Sequence, residues 1–218
     1  SGAVVRFSAE GRPHKTRTID FARCGYRPQS MTRPSRPRLC RSLPTVRKEE
    51  PVVHRPHTVA FDVVETLMTL EPLRGRFVEI GLHTSALERW FDRMLRDGMA
   101  LTLAGDYAPF PSVAESALRV VGGGRLSDDD ARYVLDGLAT LPAQDDARES
   151  MRLLVDAGIS VVCLSNGNRD STEAFLDRSG LDGFVDQVIT VADVQVWKPS
   201  PAVYAHALSC IGSAAHDV

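Results

Sequence analysis

Three kinds of polar group stand at the ends of apolar runs in this 218-residue chain. Asp62 follows Thr58-Val59-Ala60-Phe61, Ser165 and Asn166 follow Ile159-Ser160-Val161-Val162-Cys163-Leu164, and Lys198 comes shortly after Val188-Ile189-Thr190-Val191. A carboxylate can act as a nucleophile, a hydroxyl beside an amide can hold an anion, and an ammonium can orient and balance either. A carboxylate that ends a buried run is not there for packing. Its alternative reading is a cap for a turn or a helix start.

The elements that must position these groups are legible in the same runs. Each is short, apolar and rich in β-branched residues, as parallel strands are when both faces are covered, and 58–61 reads as a central strand. Groups that follow such strands gather at one rim of the sheet, where open α/β folds bind their ligands. Between the first two runs most of the chain has apolar spacing near 3.6, predicting helices over 73–82, 86–103, 110–121 and 127–141. Turn signals at Gly105-Asp106 and Gly122-Gly123-Gly124 separate them, and Ser127 with Asp130 has the spacing of a capping box. Pro199 fixes the turn after Lys198, and a further helix begins at about Ala202.

Taken together, FDVVETL at 61–67, LSNGN at 164–168 and WKPSPAVY at 197–204 make the chain resemble the haloacid dehalogenase (HAD) superfamily, with Lys198 standing 33 positions after Ser165. The likeness runs from about residue 57 to 212, and the type II branch, the L-2-haloacid dehalogenases, is the best match. It implies an α/β fold: a Rossmann-like parallel sheet core over 57–71 and 142–218, with a helical cap over 72–141 inserted after the first strand. It also implies chemistry. Asp62 would displace halide from C2 of a short 2-haloacid through an aspartyl ester, and water would release a 2-hydroxy acid. Lys198 would keep Asp62 ionised and aimed, Ser165 and nearby N–H groups would hold the substrate carboxylate, and Asn166 would serve the halide or carboxylate pocket. Thr66 would bond to Asp62 or its loop. Val63, Val64, Phe91 and Tyr204 would line the substrate. Phosphatases of the superfamily carry a second Asp where this chain has Val64, so no metal and no other cofactor is implied.

Several positions depart from that pattern. The halide-collecting Arg of the dehalogenases matches Phe91 here, and Arg93 and Arg96 point elsewhere on a helix, leaving a halide site built from Asn166 with Phe91 and Trp90 edges. Glu65 stands where many relatives have Gly; it reads as solvent-facing, or as a carboxylate for a cation or a proton. A fourth motif is missing from the C-terminal side. These departures keep two alternatives in view: a Mg²⁺-dependent phosphatase or phosphonatase-like hydrolase, and a catalytically incomplete fragment.

Residues 1–57 hold 13 Lys and Arg against 4 Asp and Glu, while the remainder holds 13 against 24. The first 56 residues, rich in Arg and Pro, read as a disordered extension. An Arg-rich arm without aromatic interleaving gives no nucleic-acid site, and a transit peptide ranks below an extension without a folded role. No run approaches a membrane span. Cys24, Cys40, Cys163 and Cys210 lack metal-ligand spacing and suit the reduced thiols of a cytoplasmic protein. The partner expected is a small-molecule substrate, with a homodimer as the assembly that relatives adopt.

Overall fold

The computed structural model describes residues 55–218, so the reading of the basic N-terminal segment, with Cys24 and Cys40, lies outside the described residues. Three parallel strands, β1 (Thr58–Phe61), β2 (Ser160–Ser165) and β3 (Gln187–Thr190), form a sheet in the order β1-β2-β3. The register sets Phe61 beside Cys163 and Ser165 beside Thr190, so the residues that follow each strand emerge at one rim.

β2 is the central strand, buried along nearly its whole length. β1 pairs with β2 among the described strands and is half-buried past Thr58. An apolar, β-branched run records what covers the faces of a strand; it carries no information about how many strands bond its edges. Beyond β1, the Asp217 carbonyl accepts the His57 and Thr58 N–H groups at 2.8 and 3.2 Å.

The chain between β1 and β2 is helical, as its spacing predicts. α1 (Leu73–Glu79), α2 (Ala86–Leu103), α3 (Phe110–Val121) and α4 (Asp128–Asp136) follow in order, then a 3-10 turn at Gly137–Thr140 and α5 (Ala147–Asp156). α2 and α3 have the predicted bounds. α1 stops short of Leu82 because Gly81 takes a left-handed φ of 81° that a continuing helix cannot use. α4 begins at the predicted capping box: Ser127 Oγ accepts the Asp130 N–H at 3.1 Å, and Asp130 Oδ2 accepts the Ser127 N–H at 3.1 Å. Phe77, Trp90, Met94, Leu118 and Val134, none exposed, form the shared core of these helices. Trp90 leans on Phe77 at a 53° tilt, and its indole N–H reaches the Ala114 carbonyl at 2.8 Å.

The helical stretch leaves and rejoins the sheet layer at one place. Thr69 N–H donates to Pro142 O at 3.1 Å and Gln144 N–H to Leu67 O at 2.8 Å, a short antiparallel tie between entry and exit. α6 (Arg169–Ser179) follows β2, and α7 (Pro201–Ile211) follows β3. α7 seats Val203 and Ala207 against Leu164, Ile189 and Val191. No helix among the described residues is long and apolar enough to cross a membrane.

Candidate active site

Asp62 leaves the end of β1 with its two oxygens in different states. Oδ1 accepts the Val63 N–H at 2.8 Å and Lys198 Nζ at 2.6 Å; Oδ2 has no hydrogen-bond partner among the described residues. Lys198 Nζ also donates to Leu164 O at the end of β2, at 2.6 Å. The lysine side chain is 13% exposed and the aspartate 47%, so the cation is held against the sheet while the anion faces open space. Two donors on one oxygen fix the plane of the carboxylate and leave the lone pairs of the other available for attack.

The position of Lys198 is itself fixed from two sides. Its N–H donates to Asn166 Oδ1 at 3.0 Å, tying it to the residue after β2. The preceding Trp197, fully buried, donates its backbone N–H to Thr102 Oγ1 at 2.8 Å and its indole N–H to Ala108 O at 3.0 Å. Its ring stacks on Phe110 with centroids 6.2 Å apart and lies so close to Gly98 that a Cβ there would come within 2.4 Å of the indole. The helical insertion therefore grips the residue next to the catalytic lysine candidate. Trp197 stood in the third motif without a packing partner, and Gly98 was not picked out from sequence, although a glycine inside a long helix is a signal for close packing.

A pocket of about 200 Å³ opens at Asp62, with Thr66, Phe91, Phe110 and Asn166 in its walls. Met94 and Leu95 of α2, with Val64 and Glu65, complete it, and none of its lining residues is cationic. Phe110, Met94 and Leu95 are pocket residues that sequence reasoning missed, since their helical spacing gave only core positions.

Of the residues expected from sequence, Asp62, Lys198, Asn166, Val64, Thr66 and Phe91 come together around this pocket. Ser165 is buried beside them; its Oγ accepts the Gly167 N–H at 2.9 Å and retains its own proton for donation. The expectations for Thr66, Tyr204 and Trp90 are corrected. The Thr66 hydroxyl has no hydrogen bond to Asp62; only the Thr66 backbone N–H engages the loop, at 3.3 Å from Val63 O, inside a turn that also brings the Leu67 and Met68 N–H groups to that carbonyl. Val63, 1% exposed and with its N–H serving Asp62, lines the larger neighbouring cavity and not the Asp62 pocket itself. Tyr204 is 44% exposed and lines neither of the cavities beside the nucleophile loop, because the helical phase that buries Val203 and Ala207 turns it outward. Trp90 gives its N–H to the Ala114 carbonyl inside the helical core, which removes it from a halide site.

Glu65 is exposed, as the solvent-facing reading expects, but not idle. Its backbone is left-handed, with φ 63°, and Oε1 accepts the Leu70 N–H at 2.5 Å, so the carboxylate closes the loop that carries Asp62. Arg93 and Arg96 both pair with Asp97, at 3.0 and 3.1 Å, in keeping with their direction on the helix. Beneath Asp62, burial and the aspartate charge push the Cys163 thiol up to about 12, against the opposing pull of Lys198; it stays protonated and is no competitor as a nucleophile. Among the described residues no group of three or more His, Cys, Asp or Glu side chains could hold a metal ion.

This geometry can be set beside known proteins. Residues 56–218 match the family model described as haloacid dehalogenase-like hydrolase. The chain belongs to that family. A curated relative from Burkholderia cepacia, (S)-2-haloacid dehalogenase 4A, is 30% identical over 164 residues, covering 72% of this chain and 71% of its own. The (S)-2-haloacid dehalogenase of Pseudomonas sp. strain YL is 33% identical over 162 residues, covering 71% and 68%. Among solved structures, the L-2-haloacid dehalogenase of Xanthobacter autotrophicus is 25% identical with a TM-score of 0.69, covering 75% of this chain and 68% of that one. As a member of this hydrolase family, the chain has the α/β architecture expected from its strand ends, with flanking helices on a parallel sheet.

Proposed function

We propose that the chain is a dehalogenase that releases halide from C2 of an (S)-2-haloacid. The observation that carries the reading is the carboxylate of Asp62: Oδ1 is held by Lys198 Nζ and the Val63 N–H, and Oδ2 is unpartnered at an apolar pocket. Oδ2 attacks C2 opposite the carbon–halogen bond, whose electron pair leaves with the halide. An ester links Asp62 to the substrate. Water then adds to the Asp62 carbonyl carbon, and the bond between that carbon and the ester oxygen breaks, one water proton passing to the ester oxygen and the other to solvent. The 2-hydroxy acid departs with an inverted C2, and the carboxylate is regenerated.

Lys198 donates to Oδ1 in both states, first to a carboxylate oxygen and then to the ester carbonyl. The Ser165 hydroxyl suits the substrate carboxylate. Because Asn166 Oδ1 is occupied by the Lys198 N–H, its amide N–H groups are the donors left for the leaving halide, with the Phe91 and Phe110 ring edges around them. In this reading the helices from α1 to α4 are the cap, and the apolar walls they supply keep water from the attacking anion. Val64 supports metal-independent chemistry, since the superfamily's phosphatases need an acid at that position, and Glu65 is committed to the Leu70 N–H.

The test is chloride release from each enantiomer of 2-chloropropionate in the presence of a chelator. Turnover of the S enantiomer alone, lost in Asp62→Asn, is the expected result. Turnover that requires added magnesium, or that survives Asp62→Asn, would overturn the reading.

A further inference from the structure

Beside the pocket at Asp62 lies a larger cavity, of about 450 Å³, most of which a short acid would leave unfilled. Its near side is made by Val63, Val64 and Ser165, next to the nucleophile; its far sides are Leu138 on the 3-10 turn and Ala174 on α6. Val64 and Phe110 line both spaces. A carbon chain that begins at the atom attacked by Asp62 has these two side chains between it and the larger cavity. The charged residues that line the cavity, Asp136, Asp170 and Arg178, are all exposed, and Arg178 directs its guanidinium to the Ala174 and Leu141 carbonyls at 3.3 and 3.0 Å. Mostly hydrocarbon walls with charge confined to exposed side chains recognise an apolar group; of the two buried hydroxyls in the lining, Thr172 donates to the Asn168 carbonyl and Ser165 faces the nucleophile side. A space of this size falls in the roughly 300–1,000 Å³ range that whole drug-sized ligands occupy, well beyond the methyl group of a three-carbon acid.

We propose, on the dehalogenase reading above, that this cavity receives the side chain of the substrate, so that the preferred class is 2-haloacids carrying an apolar tail several carbons long. The reactive carbon, its carboxylate and its halogen stay at Asp62. The tail passes Val64 and Phe110 and leaves water on entering the cavity.

The test is the rate of chloride release by the full chain from (S)-2-chloropropionate, (S)-2-chlorohexanoate and (S)-2-chlorooctanoate. Each methylene buried raises kcat/KM by about fourfold at most, which corresponds to ~0.8 kcal/mol; a rise of at least about tenfold from the three-carbon to the six-carbon acid is expected. Leu138→Trp and, from the opposite wall, Ala174→Phe fill the cavity away from Asp62. Each is expected to lower the hexanoate-to-propionate ratio of kcat/KM by about tenfold. The ratio is read because both substrates meet the same preparation, so any loss of folded protein cancels. A ratio that is flat or falling in the unmodified chain overturns the inference and leaves the dehalogenase reading standing. A rising ratio that neither variant changes overturns the assignment to this cavity. No chloride from any of the three acids overturns the dehalogenase reading and the inference with it.

Discussion

Two carboxylates stand just past strand ends of the same sheet, and their surroundings are opposite. Asp193, after β3, accepts the Thr190 N–H at 2.9 Å, the Thr190 hydroxyl at 3.4 Å and Arg169 Nη2 at 3.2 Å on Oδ2, with the same guanidinium nitrogen 3.5 Å from Oδ1. It closes the 3-10 turn Val191–Asp193 and ties α6 to the strand. Asp62, after β1, has one oxygen engaged twice and the other not at all, at the mouth of a pocket. A place at the rim is common to both. What separates a reactive carboxylate from a structural one is an oxygen left without donors where a substrate can reach it.

The comparison breaks most decisively at Asp62. Asp62→Asn keeps the shape but removes the anion, and activity is expected to fall by roughly 10⁴-fold or more, as for loss of a covalent nucleophile; chloride release with matched circular dichroism measures it. Lys198→Met keeps the apolar stem and removes the donor from Oδ1 and Leu164 O. A loss of about 10²–10³ in kcat is expected, the scale of removing one preorganised electrostatic contact. If Lys198→Met retains more than a tenth of the activity, the aim of Asp62 comes from the Val63 N–H alone. Gly98→Ala acts through Trp197: overpacking costs about 1–3 kcal/mol and shifts the lysine, so kcat is expected to fall by about tenfold with a lower Tm. At Asp193 the sign of the comparison reverses. Asp193→Asn should cost about 1–2 kcal/mol by denaturant titration, since charged hydrogen bonds are lost at a partly exposed site, while kcat per folded molecule stays within about twofold.

How much of this could be read from the chain follows from where each signal resides. The strand ends and the helices over 86–103 and 110–121 are set by local periodicity, which the side chains display directly. Asp62, Asn166 and Lys198 were recoverable because strands of one parallel sheet must deliver their ends to one rim. Tyr204 depends on a helical phase fixed by what Val203 and Ala207 pack against. The grip of the insertion on Trp197 joins residues about 90–100 apart in sequence, Thr102 and Gly98 to 197; neither segment alone carries it. The larger cavity is a gap between four separate segments and has no sequence signature at all.

Glu65 gives the finest version of the comparison, a third acid at the same rim. Its Oε1 accepts the Leu70 N–H at 2.5 Å, and this bond holds a left-handed backbone, φ 63°, that costs an ordinary side chain roughly 1–2 kcal/mol. Glu65→Ala removes the bond and keeps the backbone cost, so a loss of about 1 kcal/mol is expected. Glu65→Gly removes the bond and relieves the backbone, so the two effects nearly cancel and stability should match the parent within about 0.5 kcal/mol. The difference between the two variants, read by urea unfolding, is then the stored backbone cost at residue 65. Both should release halide at near the parental rate, because Glu65, unlike Asp62, has no ammonium among the described residues to hold and aim its carboxylate. A hundredfold loss in both variants with folding intact would move Glu65 into the chemistry and reopen a second acid at this site.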